Sequence, residues 1–291
     1  MAGAFGDWGA ILYMGAMGRP FLKMNGLGND FVVVEARTEP FTPSADEVRA
    51  IADRATGIGC DQLIAIEPDD RADAFMRIWN ADGGEVGACG NAARCVAWLL
   101  TEGQPFDRVV IETKAGPLFA ARLGPKTMRV DMDEPGLNWR DIPLAEEMST
   151  STVPLRIGPI EAPVMEGPGC VSMGNPHVVF FVPDVDAAPV ERIGPLVEHH
   201  PLFPERVNVG FAEIKARDRI RLRVWERGAG LTKACGTGAC AALVAAVRRG
   251  LADRKATLEL DGGELQIEWA EDDNHVYMTG PIELDYSGEL P

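Results

Sequence analysis

The feature that most restricts this chain is that it repeats itself. Each residue can be set against the one 146 positions on, the separation of Cys89 from Cys235. Arg77-Ile78-Trp79 then meets Arg223-Val224-Trp225, and Gly84, Ala88, Cys89, Gly90 and Ala93 meet Gly230, Ala234, Cys235, Gly236 and Ala239. Residues 77–97 carry seven identities, where ordinary residue usage gives roughly one or two. The register holds elsewhere. Asn29 meets Asn175, ahead of Phe31-Val32-Val33-Val34 and His177-Val178-Val179-Phe180; Gln62 meets Asn208, Gly116 meets Gly262, Met132 meets Met278 and Pro135 meets Pro281. One offset serving so many separated places is not the chance likeness of glycine-rich loops. The period is also far longer than that of a solenoid. The chain reads as a duplicated domain, and 291 residues suffice for two of ordinary size.

The copies share a layout. In the first, 31–35, 63–66, 74–79, 109–112, 118–122 and 128–131 read as strands, being β-branched or aromatic and bounded by Gly and Pro. Ser44 with an acidic first turn starts a helix running to about Ala55. From Asn91 to Leu100 the residues are apolar on nearly every face, so that helix must be buried all round, with Gly103 as its stop. In the second copy 178–182, 209–214, 220–225, 256–260, 264–269 and 275–279 read as strands and 191–197 as a short helix. Residues 239–247 form another helix apolar all round, closed by Arg248-Arg249-Gly250. Residues 136–165 have no counterpart in the first copy and hold a linker with one or two extra strands. The expected class is α+β: two pseudo-symmetric domains from an internal duplication, each a mostly antiparallel sheet wrapped around a central buried helix. The expected division is an extension at 1–16, a first half at 17–136, a second at 137–281, and a tail at 282–291 that could return to the first half.

A formal net charge of −16 argues against a nucleic-acid partner, which needs a basic footprint. Residues 1–16 lack the basic start of an export signal, and no apolar run is long enough for a membrane helix. Six cysteines without an export signal favour reduced thiols in the cytoplasm over a disulfide framework.

Cys89 and Cys235 each follow a polar, glycine-rich loop and open an apolar helix. A thiol at a helix N-terminus sits at the positive end of the macrodipole, which lowers its pKa. The unpaired N–H groups of the first turn can hold a carboxylate, and the following glycine lets a ligand approach the backbone closely. Two such starts, one per half, would suit taking a proton from one face of a carbon α to a carboxylate and returning one to the other face. Cys60, Cys95, Cys170 and Cys240 read as small buried apolar residues. Zinc is disfavoured by the Cys89/Cys95 spacing and the lack of a matching His pair; Cys-x-x-Cys is absent. Gly26-Leu27-Gly28 is too short for a dinucleotide fingerprint. No metal and no cofactor are expected.

The register also pairs polar residues: Asn29 with Asn175, Gln62 with Asn208, Asn80 with Glu226. Three such pairs exceed what turn chemistry requires, and they are expected to hydrogen-bond a substrate's amino and carboxylate groups. Arg227 could take a second carboxylate with its planar fork, or simply form a surface ion pair with Glu226. His177 replaces Phe31, so the duplication was broken there by a polar group. It is either a satisfied core histidine or a partner for a thiolate.

Eight stretches, Met24-Asn25-Gly26-Leu27-Gly28-Asn29-Asp30-Phe31, Gly57-Ile58-Gly59-Cys60-Asp61-Gln62, Asn80-Ala81-Asp82-Gly83, Cys89-Gly90-Asn91, Gly174-Asn175-Pro176-His177, Val207-Asn208-Val209-Gly210, Glu226-Arg227-Gly228-Ala229-Gly230 and Ala234-Cys235-Gly236-Thr237-Gly238, together resemble the diaminopimelate epimerase family. The resemblance implies a cofactor-independent epimerase interconverting L,L- and meso-2,6-diaminopimelate, on the route to lysine and peptidoglycan. It implies Cys89 and Cys235 as the acid/base pair, assisted by His177 and Glu226. Asn29, Gln62, Asn80, Asn175, Asn208, Glu226 and Arg227 would contact substrate, and Gly90-Asn91 and Gly236-Thr237 would cradle the reacting carboxylate. It also implies domains that close over the ligand, and a homodimer. The chain departs from the family pattern at Leu231, where an acidic residue often stands. Other readings are a racemase or epimerase of proline or hydroxyproline, and a non-catalytic amino-acid-binding or redox-sensing protein.

Overall fold

The computed structural model describes residues 18–159, 161 and 163–290; the expected extension at 1–16 lies outside them. The chain divides into two compact units, one taking in the chain up to Val130 and again from Gly280, the other Asp131–Thr279.

The first unit holds β1 (Pro20–Gly26), β2 (Asn29–Glu35), α1 (Ala45–Ala52), β3 (Gln62–Glu67), β4 (Ala74–Asn80), β5 (Glu85–Val86), α2 (Gly90–Thr101), β6 (Arg108–Glu112), β7 (Leu118–Gly124) and β8 (Thr127–Asp131). The last strand of the chain, β19 (Glu283–Glu289), pairs antiparallel with β1. Most neighbours are antiparallel, but β2 and β3 run parallel, as do β4 and β6. Parallel neighbours need a crossover. Helix α1 supplies the first and α2 the second. Because the sheet is covered on both faces there, β2 reads as the continuous apolar run Phe31-Val32-Val33-Val34 rather than alternating. Val32 and Val34 join Val48, Ile51, Leu63, Ala65 and Trp79 in one core cluster, while α2 packs on β1, β6 and β7.

Ser44 caps α1 through a capping box: its hydroxyl accepts from Glu47 N, and Glu47 accepts from Ser44 N. The helix stops at Ala52, short of the expected Ala55. The Asp53 carboxylate takes the N–H groups of Ala55 (2.7 Å) and Thr56 (2.9 Å) and turns the chain out.

The second unit holds β9 (Arg156–Ile157), β10 (Met165–Glu166), β11 (Gly169–Ser172), β12 (Pro176–Phe181), α3 (Val190–Glu198), β13 (Asn208–Ala216), β14 (Arg219–Glu226), β15 (Gly230–Thr232), α4 (Gly236–Arg248), β16 (Lys255–Leu260), β17 (Gly263–Trp269) and β18 (Val276–Pro281). Its parallel pairs are β12–β13 and β14–β16. Between the first of these runs α3, between the second α4, which packs against β11, β12, β13, β14, β16 and β17. Thus the duplication survives in register as well as in sequence. Phe31 faces Gln62 as His177 faces Asn208, Leu63 faces Trp79 as Val209 faces Trp225, and Trp79 faces Glu85 as Trp225 faces Leu231. The β9–β10 hairpin stands alone as a separate small sheet in the segment with no counterpart.

The copies part at their first hairpin. In the first, Gly26 pairs with Asn29 across Leu27-Gly28, both at positive φ, a tight two-residue turn. In the second, Ser172 pairs with Pro176 across three residues, and only Gly174 has positive φ. Asn29 is therefore the last paired residue of its ladder, whereas Asn175 lies in the loop.

Candidate active site

Each unit places its site residues on the same scaffold, the ends of the central strands and the start of the buried helix. Cys89 and Cys235 are the N-cap residues of α2 and α4, both with extended backbone (φ −149°, ψ 112° and φ −121°, ψ 106°). Gly90-Asn91 and Gly236-Thr237 open the first turns, whose backbone N–H groups have no partner one turn back.

In the first unit Cys89 is half-exposed. Its thiol faces Asn29 Oδ1 at 3.9 Å, and Asn91 Nδ2 donates to the same oxygen at 3.3 Å. Asn29 Nδ2 donates to Asp61 Oδ2 at 3.0 Å. Gln62 and Asn80, opposite each other on β3 and β4, are joined through Gln62 Nε2 and Asn80 Oδ1 at 3.0 Å. Gln62 Oε1 is buried with no protein partner, an acceptor that a bound ammonium group would satisfy.

In the second unit Cys235 is buried, at 4% exposure. Burial, and then the Glu226 carboxylate, push its thiol well above the ordinary value; the Thr237 hydroxyl and the Gly238 N–H, which favour the thiolate, do not offset them. The expectation of a lowered thiol pKa from the helix dipole therefore fails for Cys235, because desolvation and a neighbouring anion outweigh a partial positive charge. Glu226 also accepts from Thr232 Oγ1. Thr237 Oγ1 lies 3.7 Å from the sulfur and accepts from Asn175 Nδ2 at 3.3 Å. Asn175 Oδ1 meets His177 Nε2 at 3.0 Å. His177 is fully enclosed; burial, with Arg227 nearby, pushes its pKa down to about 3, so the ring is neutral.

Asn208 is buried, and its amide is engaged by backbone. Nδ2 donates to Pro176 O (3.0 Å) and Oδ1 accepts from Arg227 N (2.9 Å). It holds Arg227 in place. The Arg227 guanidinium spends one N–H on Glu205 O (2.9 Å). Glu198, at the end of α3, accepts from Trp225 Nε1 (2.7 Å) and Gly228 N (3.0 Å) and so anchors both sides of the Glu226-Arg227 turn. Sequence reasoning missed Glu198, which has no identical partner in the repeat. Leu231 packs, partly buried, against the apolar cluster of this unit. Cys60, Cys95, Cys170 and Cys240 are buried, and desolvation pushes the Cys60 thiol up to about 11 and those of Cys95 and Cys170 to about 12, which makes these three inert.

Among the described residues no group of three or more His, Cys, Asp or Glu is placed to hold a metal ion, and no helix is long and apolar enough to cross a membrane. What each unit does offer is a thiol at a helix start with amide groups close by, joined in the second unit by the Glu226 carboxylate, the equipment of acid/base chemistry beside a carboxylate.

The fold is that of a class that includes a hydroxyproline epimerase from Agrobacterium vitis, with bound trans-4-hydroxy-L-proline (TM-score 0.67, 16% identity, covering 94% of this chain and 91% of that one). A Bacillus anthracis phenazine biosynthesis protein of the PhzF family shares it too (TM-score 0.67, 14% identity, 95% and 100% covered). At these identities the likeness defines the two-domain α+β architecture alone. Sequence goes further. The family model described as diaminopimelate epimerase matches residues 21–137 and 169–284. The diaminopimelate epimerase of Phenylobacterium zucineum is 66% identical over 276 residues (95% of this chain, 99% of that protein), and that of Caulobacter sp. strain K31 is 61% identical over 284 (94% and 98%). The chain belongs to the diaminopimelate epimerase family.

Proposed function

We propose that this protein interconverts L,L- and meso-2,6-diaminopimelate, with Cys89 and Cys235 as a thiolate/thiol pair acting on one α-carbon. The observation that carries the reading is the equivalence of the two sulfurs, each capping the buried helix of its own copy at the same position of the repeat. A single base would return the proton to the face it left; two bases on opposite faces invert the centre. One sulfur, as thiolate, takes the α-hydrogen as a proton. The other, as thiol, delivers its proton to the opposite face, and the charge passing through the carboxylate is met by the first-turn N–H groups at Gly90-Asn91 and Gly236-Thr237. The reverse reaction exchanges the roles.

Glu226, which raises the Cys235 thiol, is the group that takes up the sulfur's proton when Cys235 must act as base. Neutral His177 holds Asn175 and assists the thiols. Gln62 Oε1, without a protein partner, suits the substrate ammonium together with Asn80. Asn29 and Asn175 keep amide N–H groups for its carboxylate, and Arg227, placed by Asn208, takes the distal carboxylate with its remaining N–H groups. The protein works in the cytoplasm, consistent with six free cysteines, and as a homodimer, which light scattering tests.

The decisive experiment is turnover of L,L-diaminopimelate in deuterium oxide with neither metal nor pyridoxal phosphate added. Deuterium should appear at the inverted α-carbon. Turnover of proline or hydroxyproline instead, or ligand binding without exchange, would overturn the reading.

A further inference from the structure

Among the described residues Arg94 heads the fully buried side chains by size, a cation inside a mostly apolar helix, at the position the second copy fills with Cys240. Its Nη1 donates to Asn91 Oδ1 at 3.0 Å. Asn91 Nδ2 donates to Asn29 Oδ1 at 3.3 Å, and Asn29 Nδ2 donates to Asp61 Oδ2 at 3.0 Å. A guanidinium can only donate, and a carboxylate can only accept. With a donor-only group at one end and an acceptor-only group at the other, the two amides between them have one consistent orientation. We propose that Arg94 and Asp61 are positioning residues that fix this polarity, so that Asn29 turns its carbonyl oxygen, and not its amide N–H, to the sulfur of Cys89.

Asp61 is itself held, by Asp30 N (3.0 Å) and by Arg54 Nη2 (2.7 Å), which also spans to Asp30. The second copy has no such lock. Val207 stands at the position of Asp61, and Asn175 lies between the Thr237 hydroxyl and the His177 ring. Each of those can donate or accept, so polarity alone leaves Asn175 free to turn. A carbonyl oxygen accepts S–H and offers nothing to a thiolate, so the locked amide favours the protonated sulfur and sets the direction of its proton. The consequence for catalysis rests on the acid/base reading above; the orientation does not.

The test needs no substrate. Cys89 is half-exposed, and the other five cysteines are buried. In a Cys235→Ser background, the pH dependence of iodoacetamide labelling at Cys89 is followed by mass. Asn29→Ala removes the oxygen, and the labelling midpoint should fall by about half a pH unit, making labelling near neutral pH about threefold faster. Asp61→Asn, isosteric and half-exposed, should act in the same direction by releasing the Asn29 amide. Because it also deletes a negative charge, it is combined with Arg54→Gln, which removes the neighbouring cation and restores the balance; the fall should persist in the pair. An unmoved midpoint in Asn29→Ala overturns the proposal, and so does a pair that labels like its parent. Should the midpoints move as expected in a protein that epimerises nothing, the proposed function fails and the positioning role stands.

Discussion

Cys89 and Cys235 start equivalent helices with nearly the same backbone, yet one is half-exposed among neutral amides and the other is buried against a carboxylate. The pairings of the central strands are shared to the residue, so duplication has preserved where the sulfurs sit. What has diverged is the layer around them: Asn80 against Glu226, Asn91 against Thr237, Arg94 against Cys240, Asp61 against Val207. A common scaffold fixes the position of a thiol; its proton is governed by neighbours that the scaffold leaves free to change.

The sharpest way to break the comparison is to remove each sulfur. Cys89→Ala and Cys235→Ala should each lower epimerisation by about a thousandfold or more, read by coupled assay or by the loss of deuterium from the inverted centre; full activity in either variant ends the two-base scheme. Glu226→Gln, which removes the anion from one side only, should lower kcat by about a hundredfold with a smaller change in KM, and should bring the Cys235 thiol down toward its ordinary value, since Glu226 is among the causes of its rise. An unchanged pH–rate profile would count against that role.

Stability separates the helices. Arg94→Ala leaves Asn91 and the Pro281 carbonyl without the cation that bonds them and should cost about 3 kcal/mol. Cys240→Ala, at the same place in α4, trims one buried sulfur and should cost about 1 kcal/mol. Denaturant unfolding of the two variants checks the ranking.

The smallest effect concerns His275, in the second unit alone. Its hydrogen bond to Asp131 (2.8 Å), aided by the charges of Asp131, Asp273 and Asp133, raises its pKa above 6.5 despite some burial. A raised folded pKa stabilises fully below the unfolded value, and the contribution is lost as pH rises through the folded one. Between pH 5.5 and pH 8 the wild type should therefore lose about one degree of Tm relative to His275→Gln, and salt should shrink the difference.

Much of this was legible in the chain. The 146-residue offset located most of the equivalent strands, both buried helices and both sulfurs, because backbone pairing and helix burial leave periodic apolar patterns; β1, its counterpart β11 and the final β19 were not among the expected strands. Four things left no such trace. The short strands β5 and β15 have too few residues for a period. The first hairpin is a residue tighter in one copy than in the other, which depends on Leu27 taking positive φ. The high Cys235 thiol follows from burial and from Glu226 folding back beside it. Arg94 and Asp61 escaped because each stands against an apolar residue in the other copy, Cys240 and Val207, and only at His177 was such a break weighed.

β19 pairs along β1, so the unit that begins the chain is completed by its final strand, while the other unit is uninterrupted from Asp131 to Thr279. On the ribosome the uninterrupted unit can close as soon as it has emerged. The flank of β1 that awaits β19 stays uncovered until Glu283–Glu289 has emerged, a bare edge open to wrong partners. A released chain truncated just before Glu283 should therefore carry a protease-resistant second unit beside a protease-sensitive first one.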